Sequence, residues 1–107
     1  MTDKAARTRA LNDTFRTTFI GGRVVCTAGV RDRGDREDII TRVREYNDFN
    51  ADNDPHGEHD FGAFEVGGEM FFWKLDYYDT SLEYGSEDPS DASKTVRVLT
   101  VMLASEY

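Results

Sequence analysis

The segment Asp60-Phe61-Gly62-Ala63-Phe64-Glu65-Val66-Gly67-Gly68-Glu69-Met70-Phe71-Phe72-Trp73-Lys74-Leu75-Asp76-Tyr77-Tyr78-Asp79 decides the fold class. Two runs rich in aromatic and apolar residues flank Gly67-Gly68, and consecutive glycines supply the positive φ angles of a two-residue hairpin turn. The spacing predicts a β-hairpin, residues 60–66 against 69–79. Side chains alternate across a strand, so Phe71, Trp73, Leu75 and Tyr77 share one face, while Met70, Phe72, Lys74, Asp76 and Tyr78 share the other. The first face, free of charge, is the expected core face.

On the N-terminal side, residues 2–19 read as a helix with Ala6, Leu11, Phe15 and Thr18 or Phe19 near one face, Thr2 as N-cap and Gly21-Gly22 as the stop. Residues 23–28 form a short β-branched strand ending at Gly29, and Arg31-Asp32-Arg33-Gly34 a charged turn. A second helix follows, with Asp35 as N-cap, Asp38 three residues on, and Ile39, Ile40, Val43, Tyr46 and Asn47 keeping helical spacing toward Phe49. On the C-terminal side, residues 79–93 are a long polar connection with room for a turn of helix, kept out of a strand by Pro89. Residues 94–104 are β-branched and apolar on both faces, which marks a central strand.

The order helix, strand, helix, hairpin, loop, strand predicts an α+β fold, a four-stranded, largely antiparallel sheet with two helices, in a single domain spanning residues 1–107. No internal repeat is present. Two helix arrangements stay open. If both helices cover the Trp73 face, the face bearing Met70, Phe72, Tyr78, Val98 and Met102 is open to a second copy, giving a homodimer; if they split across the sheet, nothing is left exposed.

A chain of 107 residues supports one core and not two. Its aromatic content of 12% sits inside periodic segments, which excludes the disordered class despite 32% charged residues. The polar N-terminus and the lack of a membrane-length apolar run predict a soluble, cytoplasmic protein with no membrane partner. Cys26, the single cysteine, excludes an internal disulfide, and its strand setting reads as a passive core thiol. The net charge of −8 is unevenly spread: residues 1–47 carry ten basic against seven acidic residues, residues 48–107 three against fourteen. That field repels phosphates, so no direct nucleic acid binding is expected, and it favours cations or a basic protein surface.

Asp52-Asn53-Asp54-Pro55-His56-Gly57-Glu58-His59-Asp60 holds both histidines and four acids in nine residues. Asp52, Asp54, His56 and Gly57 match the opening of a calcium loop, but its bidentate glutamate is replaced by Ala63. For zinc, His56 and His59 with Glu58 or Asp60 lack a Cys partner and a helical frame. No metal site and no cofactor are therefore assigned, with a divalent cation as the open alternative. A catalytic reading makes this a small metal-assisted or His-based hydrolase, with His59 as general base oriented by Asp60 or Glu58 and Asp76, Lys74 or Tyr78 as partner. A structural reading has Asp52, Asn53 and Asp54 capping turns, with His59 bonded to Asp76 or a main-chain carbonyl. The preferred functional reading is a binding module rather than an enzyme. Asp52, Asp54, Glu58, Asp79, Glu83, Glu87, Asp88 and Asp91 form one negative surface that meets a basic protein and imitates a phosphate backbone.

Leu11-Asn12-Asp13-Thr14-Phe15-Arg16, Gly22-Arg23-Val24-Val25, Asn53-Asp54-Pro55-His56-Gly57-Glu58-His59-Asp60-Phe61-Gly62, Trp73-Lys74-Leu75-Asp76-Tyr77-Tyr78-Asp79 and Arg97-Val98-Leu99-Thr100-Val101-Met102-Leu103-Ala104 with Glu106-Tyr107, in that order, resemble the domain-of-unknown-function family 3768. The resemblance covers nearly the full chain and brings no activity with it. It implies a short single-domain bacterial protein of plasmid or other mobile-element settings, and so an inhibitor or modulator of a basic, nucleic-acid-handling host protein. The family pattern tends to carry Tyr in place of His56, which disfavours any mechanism needing both histidines.

Overall fold

In the computed structural model, which describes residues 3–107, the elements run α1 (Lys4–Thr18), β1 (Gly22–Cys26), α2 (Ala28–Arg31), α3 (Arg36–Glu45), β2 (Phe61–Val66), β3 (Glu69–Tyr78) and β4 (Val96–Leu103). Single 3-10 turns lie at Ala92–Lys94 and Ala104–Glu106. Gly67 and Gly68 turn the hairpin with φ of 60° and 84°, as a primed turn requires. The sheet order is β1-β4-β3-β2, with β4 antiparallel to β3 and parallel to β1. The fold is α+β with a mostly antiparallel sheet, and β4 is flanked on both sides, as its two apolar faces demand.

Helix and strand limits differ from expectation for local reasons. Thr2 lies outside the described residues, and α1 is capped by Asp3, whose carboxylate accepts the Ala5 amide at 3.0 Å. The helix ends at Thr18 because Phe19 turns left-handed, φ 60°, and donates back to the Phe15 carbonyl; the glycine pair only continues the turn. Strand β1 stops at Cys26, since the Glu106 carboxylate reaches back to the Thr27 hydroxyl at 2.6 Å and the Gly29 amide at 3.1 Å. Satisfying that amide lets Ala28–Arg31 wind into a helical turn and drives Val30 into the core. Asp35 does stand at the N-cap of α3, but it makes no capping bond; its carboxylate takes Arg33 at 2.8 and 3.0 Å.

Both long helices pack on one face of the sheet. Phe15 of α1, Ile39 and Val43 of α3 and Val30 join Phe71, Trp73, Leu75, Leu99 and Val101 in one buried cluster. The buried stripe of α1 is Thr8, Asn12, Phe15 and Arg16 rather than the Ala6-Leu11-Phe15 line, and Asn12 and Arg16 find hydrogen-bond partners inside. The opposite face stays open in its middle. Met102 is buried, Tyr78 and Val98 are half-buried, and Tyr107 lies edge-on over Phe61 and Phe72.

Gly62 is buried where a Cβ would press on the Trp73 indole nitrogen and the Tyr46 ring, so no side chain fits without moving the core. Gly34 meets nothing within 4 Å and has no left-handed φ. Urea unfolding should show Gly62→Ala losing about 1–3 kcal/mol, with Gly34→Ala unchanged or slightly stabilised. Equal behaviour of the two variants contradicts the packing described for Trp73.

Candidate functional site

Residues 46–60 join α3 to β2 as an ordered loop. Asn50 and Asn53 organise its first turn: the Asn50 side chain accepts the Asp52 and Asn53 amides, and Asn53 accepts the Asn50 amide and donates to the Asp48 carbonyl at 2.7 Å. Gly57, φ 67°, completes a second turn by donating to the Asp54 carbonyl. His59 then adopts φ 55°, a left-handed conformation that turns it out of the strand path. Its ring stacks on Phe49 at 3.7 Å and 4° between planes. Nδ1 lies 2.9 and 3.1 Å from the two Asp13 oxygens, and Nε2 lies 3.5 Å from Asp54, whose side chain is only 7% exposed. Asp54 also accepts the His59 amide at 3.2 Å. Both ring nitrogens therefore face carboxylates. A protonated ring satisfies both, whereas a base needs a free nitrogen aimed at substrate.

Beside it, Asn12 is a fully buried hub. It accepts from Arg97 Nε at 2.7 Å and donates to the Glu58 carbonyl at 3.0 Å and the Tyr77 hydroxyl at 2.8 Å. The Tyr77 hydroxyl in turn donates a hydrogen bond to the Glu58 carboxylate at 3.1 Å. Burial, the main cause, together with the Glu58 and Asp60 charges pushes the Tyr77 phenol well above its ordinary value, so it remains a neutral donor. Arg97 reaches the Pro89 carbonyl and lies over the Tyr77 ring at 5.4 Å. Arg9 adds a bond to the Gly57 carbonyl at 2.8 Å.

Arg16 closes the site from the helix side. Its guanidinium donates to the Val43 and Tyr46 carbonyls at 2.9 Å each, and sits over Phe49 and Trp73 at 5.4 and 5.0 Å. A cation at the C-terminus of α3 faces its negative end: it supplies a donor to the Tyr46 carbonyl and a second one to the Val43 carbonyl, which also accepts the Tyr46 amide. Helix α1 thus holds the 46–60 loop through Arg9, Asn12, Asp13 and Arg16, four side chains along one helix.

The structure places the expected residues as follows. His59 and Asp60 adjoin, but Asp76 points to the other face of the sheet, paired with Lys74 at 3.0 Å, and the partners of His59 are Asp13 and Asp54. Asp60 accepts the Leu75 amide through its carbonyl, while its half-buried carboxyl is pushed up by burial and then by Glu58. Asp54 and Glu58 are engaged inside the loop. Asp79 accepts from Ser81 and the Glu83 amide, Asp88 from Ser90, and Asp91 from Ser93; these bonds hold all three carboxyls below their ordinary values. Asp52, Glu83 and Glu87 are exposed, with Lys94 3.4 Å from Glu87. Among the described residues no three His, Cys, Asp or Glu side chains converge as metal ligands, and no helix is long and apolar enough to cross a membrane.

Asn12, Asp13, Arg16, Tyr77 and Arg97 were not singled out from sequence as site residues. One signal did exist: Thr8, Asn12 and Arg16 recur at helical spacing of four, and Arg97 stands on the same strand face as Leu99 and Val101, so polar residues occupy core positions.

A family model described as "Protein of unknown function (DUF3768)" matches residues 26–106. Neither the curated proteins nor the solved structures contain a match.

Two stability measurements test the site. Burial raises the folded value of Asp60, so its ionised form opposes folding: the stability gained from the protonated carboxyl is fully present below the ordinary carboxylate value and is lost as pH rises through the folded one. Asp60→Asn should therefore raise the urea midpoint at neutral pH, the gain vanishing below about pH 4; an unchanged midpoint at neutral pH contradicts the burial of this carboxyl. Arg16→Met keeps the aliphatic stem but strips the Tyr46 carbonyl of its donor, at about 1–3 kcal/mol, and leaves the Val43 carbonyl with the Tyr46 amide alone. Arg16→Lys should recover only part of that loss, since a single ammonium lacks the fork.

Proposed function

We propose, for a chain that belongs to the DUF3768 family, a binding role: a small acidic module that occupies a basic groove of a nucleic-acid-handling protein by imitating a phosphate backbone. One observation carries this reading. The 46–60 and 79–95 loops both leave the end of the sheet where β3 finishes, and their acids include Asp79, Asp88 and Asp91, each locked by local hydrogen bonds that favour the ionised form. Fixed negative charges cost less ordering on binding than mobile ones. Exposed Asp52, Glu83 and Glu87 extend the surface. Lys4, 3.8 Å from Asp88, and Lys94 are the lysines that answer it among the described ion pairs. The bacterial mobile-element setting implied by the resemblance, and a cytoplasmic site of action, suit an inhibitor or modulator of a host protein.

A hydrolase built on Glu58-His59-Asp60 has one observation in its favour, the raised Asp60 carboxyl, which suits a general acid. Against it stand the two carboxylates that face His59. The readings separate experimentally. Full-length protein, immobilised and offered basic proteins eluted from duplex DNA, should retain a stoichiometric partner that free DNA displaces. Asp52→Lys, Glu83→Lys and Glu87→Lys combined, which touch no capping carboxylate, should weaken retention about tenfold or more with the circular dichroism unchanged. Retention undiminished by the triple change rejects this surface, and loss of function on His59→Ala with that change silent favours the hydrolase.

A further inference from the structure

The two edges of the sheet are not alike. At the β2 edge, Arg42 of α3 gathers with Tyr46 and Asp48 of the loop that follows it beside Ala63 and Phe64, so neighbouring side chains cover the strand. Strand β1 has nothing of the kind among the described residues: its ladder to β4 occupies one side only. The bond from the Thr27 amide to the Val101 carbonyl sets the phase of that parallel ladder. Arg23, Val25 and Thr27 turn their amides to β4, and Gly22, Val24 and Cys26 aim theirs outward. Of the usual defences of an open edge, β1 has its short length and one charge, Arg23, while residues 20–28 contain no proline, no lysine and no acid. Ile20 is 76% and Val25 46% exposed along it.

We propose that this edge is a two-fold interface, at which β1 of one copy pairs antiparallel with β1 of a second, centred on Val24. The phase selects the occupant. About that centre Val24 pairs with Val24 and Gly22 with Cys26, so every outward amide and carbonyl of the strand meets an outward partner, and the register closes on itself as an isologous contact must. Arg23 of one copy then lies opposite Val25 of the other, not opposite a second arginine, and Ile20 lies near Ala28. Charge points the same way. Two molecules of net charge −8 repel least where acids are few: the sole charge in residues 20–28 is Arg23, and the Glu106 carboxylate that reaches the end of the strand is engaged by the Thr27 hydroxyl and the Gly29 amide. The 46–60 loop, attached to β2, stands at the far edge of the sheet. Pairing yields one continuous sheet with the 46–60 loop of each copy outermost, while Ala92 and Thr95 of the 79–95 loop lie by Ile20 and Gly21. This inference is independent of the proposed binding role.

Sedimentation velocity of the full chain over a range of concentrations, at low and moderate salt, tests it. The wild type should pass from monomer to dimer. Val25→Lys sets a like charge opposite Arg23 twice per dimer and should weaken association about tenfold, while Val25→Glu sets an opposite charge there and should tighten it. Hydrogen exchange should protect the Val24 and Cys26 amides as concentration rises. A wild type that stays monomeric throughout overturns the proposal, as does a dimer that ignores both substitutions or is weakened equally by them.

Discussion

The guanidinium of Arg16 fastens three parts of the molecule at once: helix α1, which carries it, the frayed end of α3, whose carbonyls it takes, and the Phe49 and Trp73 rings on which it lies. Arginine is suited to this because its planar fork serves two acceptors while its face lies on aromatic carbon, and because it stays charged at any working pH. Burial of a cation is costly unless its charge is balanced, the more so as the buried Nε of Arg16 has no hydrogen-bond partner among the described residues. Here the carbonyls of a helix C-terminus provide a partial negative charge, and Asp13, 3.4 Å away, provides a full one.

From that clamp the rest of the site follows. Asp13 is shared between Arg16 and His59, so the carboxylate that balances the clamp also orients the imidazole. Asn12, one residue earlier, faces the sheet and uses its amide to join Arg97, Tyr77 and the Glu58 carbonyl. Such a network is fully effective only when complete, since each buried polar group left unpaired costs about 1–3 kcal/mol. The chain therefore places polar residues on the buried stripe of α1 where a simpler domain would place leucines. What the arrangement secures is the position of a loop with little apolar content of its own, held from the helix side and capped by one aromatic stack.

Much of the fold was readable because it rests on period and turn chemistry. Alternation in residues 69–79 and the glycine pair located the hairpin and its inner face, and the two-sided apolar character of residues 96–103 placed β4 inside the sheet. The parallel partner of β4 was not readable, since pairing of distant strands leaves no local mark. Nor was α2, which depends on Glu106 supplying partners from the far end of the chain. In the site, His59 and its loop were found from composition. Their partners were missed because hydrophobic periodicity discounts the residues that matter here: Asn12, Arg16 and Arg97 look like misplaced polar residues until their hydrogen bonds are seen.

The bond between Glu106 and Thr27 spans 79 residues, and that between Thr27 and the Val101 carbonyl spans 74. Among the described residues the strand that pairs with β1 is β4, so its ladder depends on the far end of the chain. The hairpin of β2 and β3 closes a two-residue loop and can form early, whereas β1 must wait for nearly the whole chain to be ordered around it. Contacts of that range raise the contact order and so slow folding relative to a helical bundle of the same length. A late-docking edge strand also leaves a window in which its unpaired backbone is open to capture, so the rate of this final step governs how much of the newly made protein reaches a closed sheet.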